Sequence, residues 1–111
     1  MNEFITYLNN SIEAAQKKEQ ELIATERKDE ANLQKIRANI YGICRTVIQV
    51  VAKEKYGKEL WQDYVGRIDN ISKNWVKSYE KAKEHNDIEK ILIEETKFQV
   101  LNEVKEKIQN L

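Results

Sequence analysis

The chain has 111 residues, 34% charged and 41% hydrophobic, with 19 Lys plus Arg set against 19 Asp plus Glu. Proline is absent and glycine occurs three times, which excludes turn-rich all-β folds, while a single cysteine excludes a disulfide scaffold. Zero net charge gives no global pull towards nucleic acid or anionic lipid, so the composition points to an all-α domain with one modest core.

The first predicted helix covers residues 2–25. Ile5, Leu8, Ile12, Ala15 and Leu22 repeat at intervals of three and four, with Glu19 as a polar interruption. The stretch from Ala24 to Asn32 then carries no large apolar residue, and Thr25 and Asp29 are candidate caps. No glycine or proline forces a break there, so the pattern also admits a competing architecture. In it, residues 2–56 form one long helix followed by two shorter ones, stabilised by a partner chain.

Residues 29–56 form the second predicted helix and carry the widest apolar face. Ile40, Ile43, Val47 and Val50 make its expected centre, Cys44 and Val51 flank one side, and Tyr41 and Ile48 the other. A face this wide exceeds a minimal core stripe of about 100° and implies either deep burial within the chain or surface left over for another subunit. Gly57 follows Lys53 and Lys55 and is the expected left-handed stop.

The third helix is expected over residues 58–84, striped by Trp61, Tyr64, Ile68, Ile71, Trp75 and Tyr79. His85, Asn86 and Asp87 mark the next turn. The fourth helix follows over 87–110, with Ile88, Ile91, Phe98, Leu101, Val104 and Ile108. Ile93 and Val100 lie off that stripe and suggest a second apolar patch.

Facing residues in an antiparallel pair have position numbers with a constant sum, and half of it marks the turn. The stripes place the turns at 27.5, about 57 and 86. Two of these coincide with the independently chosen breakers Gly57 and Asn86. Near-equal helices with short connections describe an up-down-up-down four-helix bundle, which is the architecture we expect.

The same residues exclude several chemistries. His85 is the only histidine and Ala82 stands three residues before it, so no Glu-x-x-His pair exists for a di-iron bundle. One Cys and one His cannot supply a zinc set, and the scattered glycines cannot build a phosphate loop. We expect no metal and no cofactor. His85 reads as a solvated helix-end residue, and Cys44 as a packed, inert thiol. Glu94, Glu95, Glu103 and Glu106 read as solvated faces, with Glu103 paired to Lys107. Gly42 and Gly66 read as polar-side glycines, each at a cost of about 1 kcal/mol against Ala; a partner's crossing helix would explain them. The aromatics of the third helix keep core spacing and face inward, unlike the outward platforms of single-strand binders.

No apolar run reaches the roughly 20 residues of a bilayer span. The N-terminus lacks the basic and apolar regions of a secretory signal, so a cytoplasmic location is expected. The functional expectation is a non-enzymatic helical module that self-associates or binds an unidentified protein, with Tyr41, Ile48, Ile93 and Val100 as the candidate surface. A nucleic-acid-associated or regulatory accessory role is the alternative.

Overall fold

A computed structural model describes all 111 residues and contains four α-helices and no strand: α1 (Asn2–Ala24), α2 (Lys28–Val51), α3 (Gly57–Glu84) and α4 (Ile88–Gln109). The chain turns between residues 24 and 28, so the long-helix alternative is set aside in favour of the four-helix bundle. No helix is long and apolar enough to cross a membrane.

Two of the three turns share one construction. At Thr25-Glu26-Arg27, Glu26 takes a left-handed conformation (φ 60°). Its N–H donates to the Ile23 carbonyl (3.1 Å), and the Arg27 N–H donates to Leu22 (2.8 Å). At His85-Asn86-Asp87, Asn86 has φ 52°, with Asn86 donating to Lys83 (3.2 Å) and Asp87 to Ala82 (2.9 Å). Both are Schellman closures, which satisfy helix-end carbonyls without glycine. Asp87 then caps α4 by accepting from the Lys90 N–H at 3.2 Å.

The middle turn corrects the sequence reading. α2 ends at Val51 and not at Tyr56, and residues 52–56 form the connection. Gly57 has the expected positive φ (64°), but it opens α3 and does not close α2. Tyr56 before it is extended and fully solvated. Across this corner Asp63 of α3 pairs with Lys55 (3.4 Å) and Arg67 (3.2 Å). Arg67, with Lys55, holds the Asp63 carboxyl below the usual carboxylate range.

The α1–α2 and α3–α4 hairpins pair close to the expected antiparallel register, whereas α2 and α3 meet through Tyr64 and Cys44, several positions off the expected one. Arg45 of α2 donates to Asn9 of α1 at 2.9 Å. In the second hairpin Trp75 meets Phe98 edge-on (5.8 Å), Tyr79 donates to Glu95 (3.3 Å), and Lys105 pairs with Asp69.

Burial is uneven along the bundle. Phe4, Leu8, Ile12, Ile40, Tyr41, Cys44, Ile48, Val51, Leu60, Tyr64, Ile68, Val100, Leu101 and Val104 form one core. These come from the start of α1, the end of α2, the start of α3 and the end of α4, so the large side chains gather at the end away from the two Schellman turns. Nearer those turns the buried residues are mostly small or polar: Ala15, Ala31, Ala82, Glu94 and Thr96, with Leu22. At the dense end the Tyr64 hydroxyl donates to the Cys44 carbonyl at 3.0 Å, fully buried. Phe4 sits edge-on to both Trp61 (5.3 Å) and Tyr64 (5.6 Å).

Candidate interaction surface

The feature that sets the surface is the rotation of α2 about its own axis. The residues it buries are Ala31, Ala38, Ile40, Tyr41, Cys44, Ile48 and Val51. The expected centre of its buried face is turned outward instead: Ile43 is 39% exposed and Val50 45% exposed, with Val47 half-buried.

This rotation corrects two of the four predicted surface residues, Tyr41 and Ile48, and the facing of α4 corrects a third, Val100. Tyr41, Ile48 and Val100 lie in the core, the last two with no exposure at all. Ile93 is half-buried and borders a shallow groove with Ser78, Glu94 and Lys97. The excess apolar width predicted for α2 is real, but the unburied part is the side of Ile43 and Val50.

Polar chemistry explains the rotation. The Tyr41 hydroxyl donates to Glu103 of α4 and accepts from Arg37 at 3.0 Å. One Arg37 nitrogen reaches both Glu103 oxygens, at 3.1 and 2.8 Å. On α1, Tyr7 packs edge-on against the Tyr41 ring (6.3 Å), and Lys107 of α4 lies over the Tyr7 ring (5.6 Å). A buried phenol needs a partner, and Glu103 supplies it only when Tyr41 points inward. Burial, then the Glu103 acceptor, pushes the Tyr41 phenol well up. Burial also pushes Tyr64 well up and raises Tyr7.

Several other assignments change with this arrangement. Glu103 is paired to Arg37 and not to Lys107, which instead approaches Glu3 at 3.7 Å. Glu94 is not solvated: it is 3% exposed, its Oε1 accepts from Lys97 (3.2 Å), and its Oε2 is buried without a partner. Cys44 is buried, and desolvation lifts its thiol from 9.0 to about 11, so it carries little thiolate at neutral pH. His85 is a solvated residue at the end of α3, and Glu19 is half-buried on α1.

Around the outward side of α2, Ile12, Ala38, Gly42, Ile43, Thr46 and Val47 line much of an open groove of about 560 Å³. A side chain added at Gly42 would meet nothing within 4 Å, and the same holds at Gly66. Packing inside the chain therefore requires neither glycine. From Ala31 to Lys53 the sequence holds no acidic residue. Arg37 is drawn inward by Glu103, and Arg45 is bonded to Asn9, which leaves Lys35 and Lys53 as the exposed charges of that stretch.

No three His, Cys, Asp or Glu side chains come together in a metal-binding arrangement. Comparison with family models, with curated proteins and with solved structures gave no match.

Proposed function

We propose that this chain is a non-enzymatic, cytoplasmic protein–protein interaction module that works through the outward face of α2. The observation that carries this reading is the apolar stripe ending in exposed Ile43 and Val50 beside an open groove. A helix that can bury Tyr41, Cys44 and Ile48 within its own chain still presents a second run of β-branched residues to solvent. Exposed apolar side chains sharing one helix face support a contact site. The titratable groups support the same reading: Tyr41, Tyr64 and Cys44 are buried and held in their neutral forms, as packing groups and not as acids, bases or nucleophiles.

The test is to purify tagged protein from its own cell, as wild type and as Ile43→Glu, and to compare what is retained. The expected result is a protein held by the wild type and lost from the variant. Identical recoveries would remove the α2 face from the proposal.

A nucleic-acid-associated role is supported by the acid-free stretch from Ala31 to Lys53. It predicts oligonucleotide binding that weakens steeply with salt, and no binding at low salt ends it.

A further inference from the structure

We propose that the groove across α2 takes an acidic amphipathic helix of a partner protein, with a carboxylate of that helix on Arg45 and its apolar side chains over Gly42 against Ile43. This rests on the interaction reading above and states the chemistry of the partner.

Arg45 differs from the other arginines of the chain. Carboxylates hold the remaining three: Arg27 pairs with Glu30, Arg37 with Glu103 (2.8 Å) and Arg67 with Asp63 (3.2 Å). Arg45 forms no ion pair. Its one side-chain bond runs from Nη1 to the neutral Oδ1 of Asn9 on α1 (2.9 Å). That bond fixes the guanidinium on the α1 side of the groove but does not compensate its charge, and its remaining N–H groups have no protein acceptor. A half-buried guanidinium in the wall of a groove binds a carboxylate more strongly than one in open water, because the local dielectric is lower and its fork matches both oxygens.

The shape of the groove suits a helix. Residues 43 and 45 are about 200° apart around α2, so Ile43 and Arg45 stand on opposite walls with Gly42 between them, in an open cleft of about 560 Å³. A side-chain carbon at Gly42 would meet nothing within 4 Å, so an apolar side chain from a crossing helix can seat there.

Charge selects the occupant. Lys35 and Lys53 on the same outward side are exposed and form no ion pair, and no acid lies between Ala31 and Lys53. The α1 side chains of the groove, Ile12 and Gln16, are uncharged; Glu19, half-buried on the next turn of α1, lies outside it. A second copy of this face would bring cations and no carboxylate to Arg45. A nucleic-acid strand would bring phosphates, but no aromatic side chain lines the groove for its bases to stack on. An acidic amphipathic helix supplies both requirements, with apolar residues three and four apart for the floor and carboxylates on the flanks.

The test uses two labelled helical peptides of about 18 residues with the same Leu spacing, one flanked by Glu and one by Lys, titrated with the full chain and read by fluorescence anisotropy. The Glu peptide is expected to bind, more weakly as salt rises, and the Lys peptide is not. Arg45→Gln keeps an N–H for Asn9 and loses the charge; it should weaken binding about 10-fold or more. Gly42→Gln fills the floor and should abolish binding while melting no lower than the wild type, because it improves helix propensity in open space. Equal binding of the two peptides, an unchanged affinity in Arg45→Gln, or no binding of the Glu peptide up to about 1 mM would overturn the proposal. So would an oligothymidylate that binds through Arg45 when the Glu peptide does not. In the co-purification comparison, a protein lost from Ile43→Glu but fully retained by Arg45→Gln would remove the acidic occupant and leave the α2 interaction reading standing, whereas retention by both variants removes that reading as well.

Discussion

Val50 and Val51 are adjacent, chemically identical and oppositely placed, so they test the rotation of α2 directly. Val51 is 1% exposed and sits in the core, whereas Val50 is 45% exposed. Truncating Val51 to Ala removes two buried carbons, about 1.6 kcal/mol of transfer free energy at roughly 0.8 per group. Adding the cavity contribution brings the cost to about 2–3 kcal/mol. For Val50 about half the transfer loss applies, and it is partly offset by the better helix propensity of Ala, leaving about 0–0.5 kcal/mol. The difference of about 2 kcal/mol corresponds to roughly 8 °C in melting temperature for a domain this size. Urea unfolding followed by circular dichroism, at micromolar protein so that association does not contribute, gives both values under one slope. Equal costs, or a larger cost at Val50, would show that α2 buries the other side, and the interaction surface would fall with it.

The left-handed residues give an opposed pair of expectations. Glu26→Gly relieves a non-glycine at φ 60° and should stabilise the chain by about 0.5–1 kcal/mol, whereas Gly57→Ala at φ 64° should cost about 1 kcal/mol; melting of the two variants is expected to move in opposite directions. Tyr41→Phe removes the hydroxyl bonded to Glu103 and Arg37 and should cost about 1–2 kcal/mol; an effect under about 0.3 kcal/mol would mean that those bonds do not hold α4 against α2. Alkali should weaken the fold in a set order. Cys44 titrates at about 11 in the folded chain against 9.0 free, and Tyr41 and Tyr64 are raised from 10.0, so the unfolded chain loses these protons first and binds fewer of them. Stability is therefore fully present below about pH 8 and falls from about pH 9 upward, at up to about 1.4 kcal/mol per pH unit for each buried group. Cys44→Ala should delay the onset by about one pH unit, and an unchanged alkaline profile would contradict the burial of that thiol.

Much of the architecture is legible in the residue pattern, for identifiable reasons. The three-four spacing declares helices, and the charged gap from Ala24 to Asn32 locates a turn even though Glu26 supplies the left-handed residue in place of glycine. The facing of α2 is not legible. Residues 40, 41, 43, 44, 47, 48, 50 and 51 are all apolar or aromatic, and they form two overlapping stripes that periodicity alone cannot rank. The choice between them is made by Tyr41 and Glu103, 62 positions apart, a pairing with no local signal. The same limit placed Tyr41, Ile48 and Val100 on the predicted surface, and treated Glu94 as solvated when α4 buries it. Small residues are the other silent signal: Ala31, Ala38 and Ala82 mark buried helix positions but add little to a hydrophobic stripe.

Glu3 and Lys107 come within 3.7 Å of each other, so the start of α1 and the end of α4 lie at the same, densely packed end. Joining those two helix ends by a flexible tether and reopening the chain between the solvated residues Lys53 and Glu54 would leave both hairpins and the Tyr64–Cys44 bond intact. Such a circular permutant should fold to the same helical content, with α3 and α4 now preceding α1 and α2 in translation order.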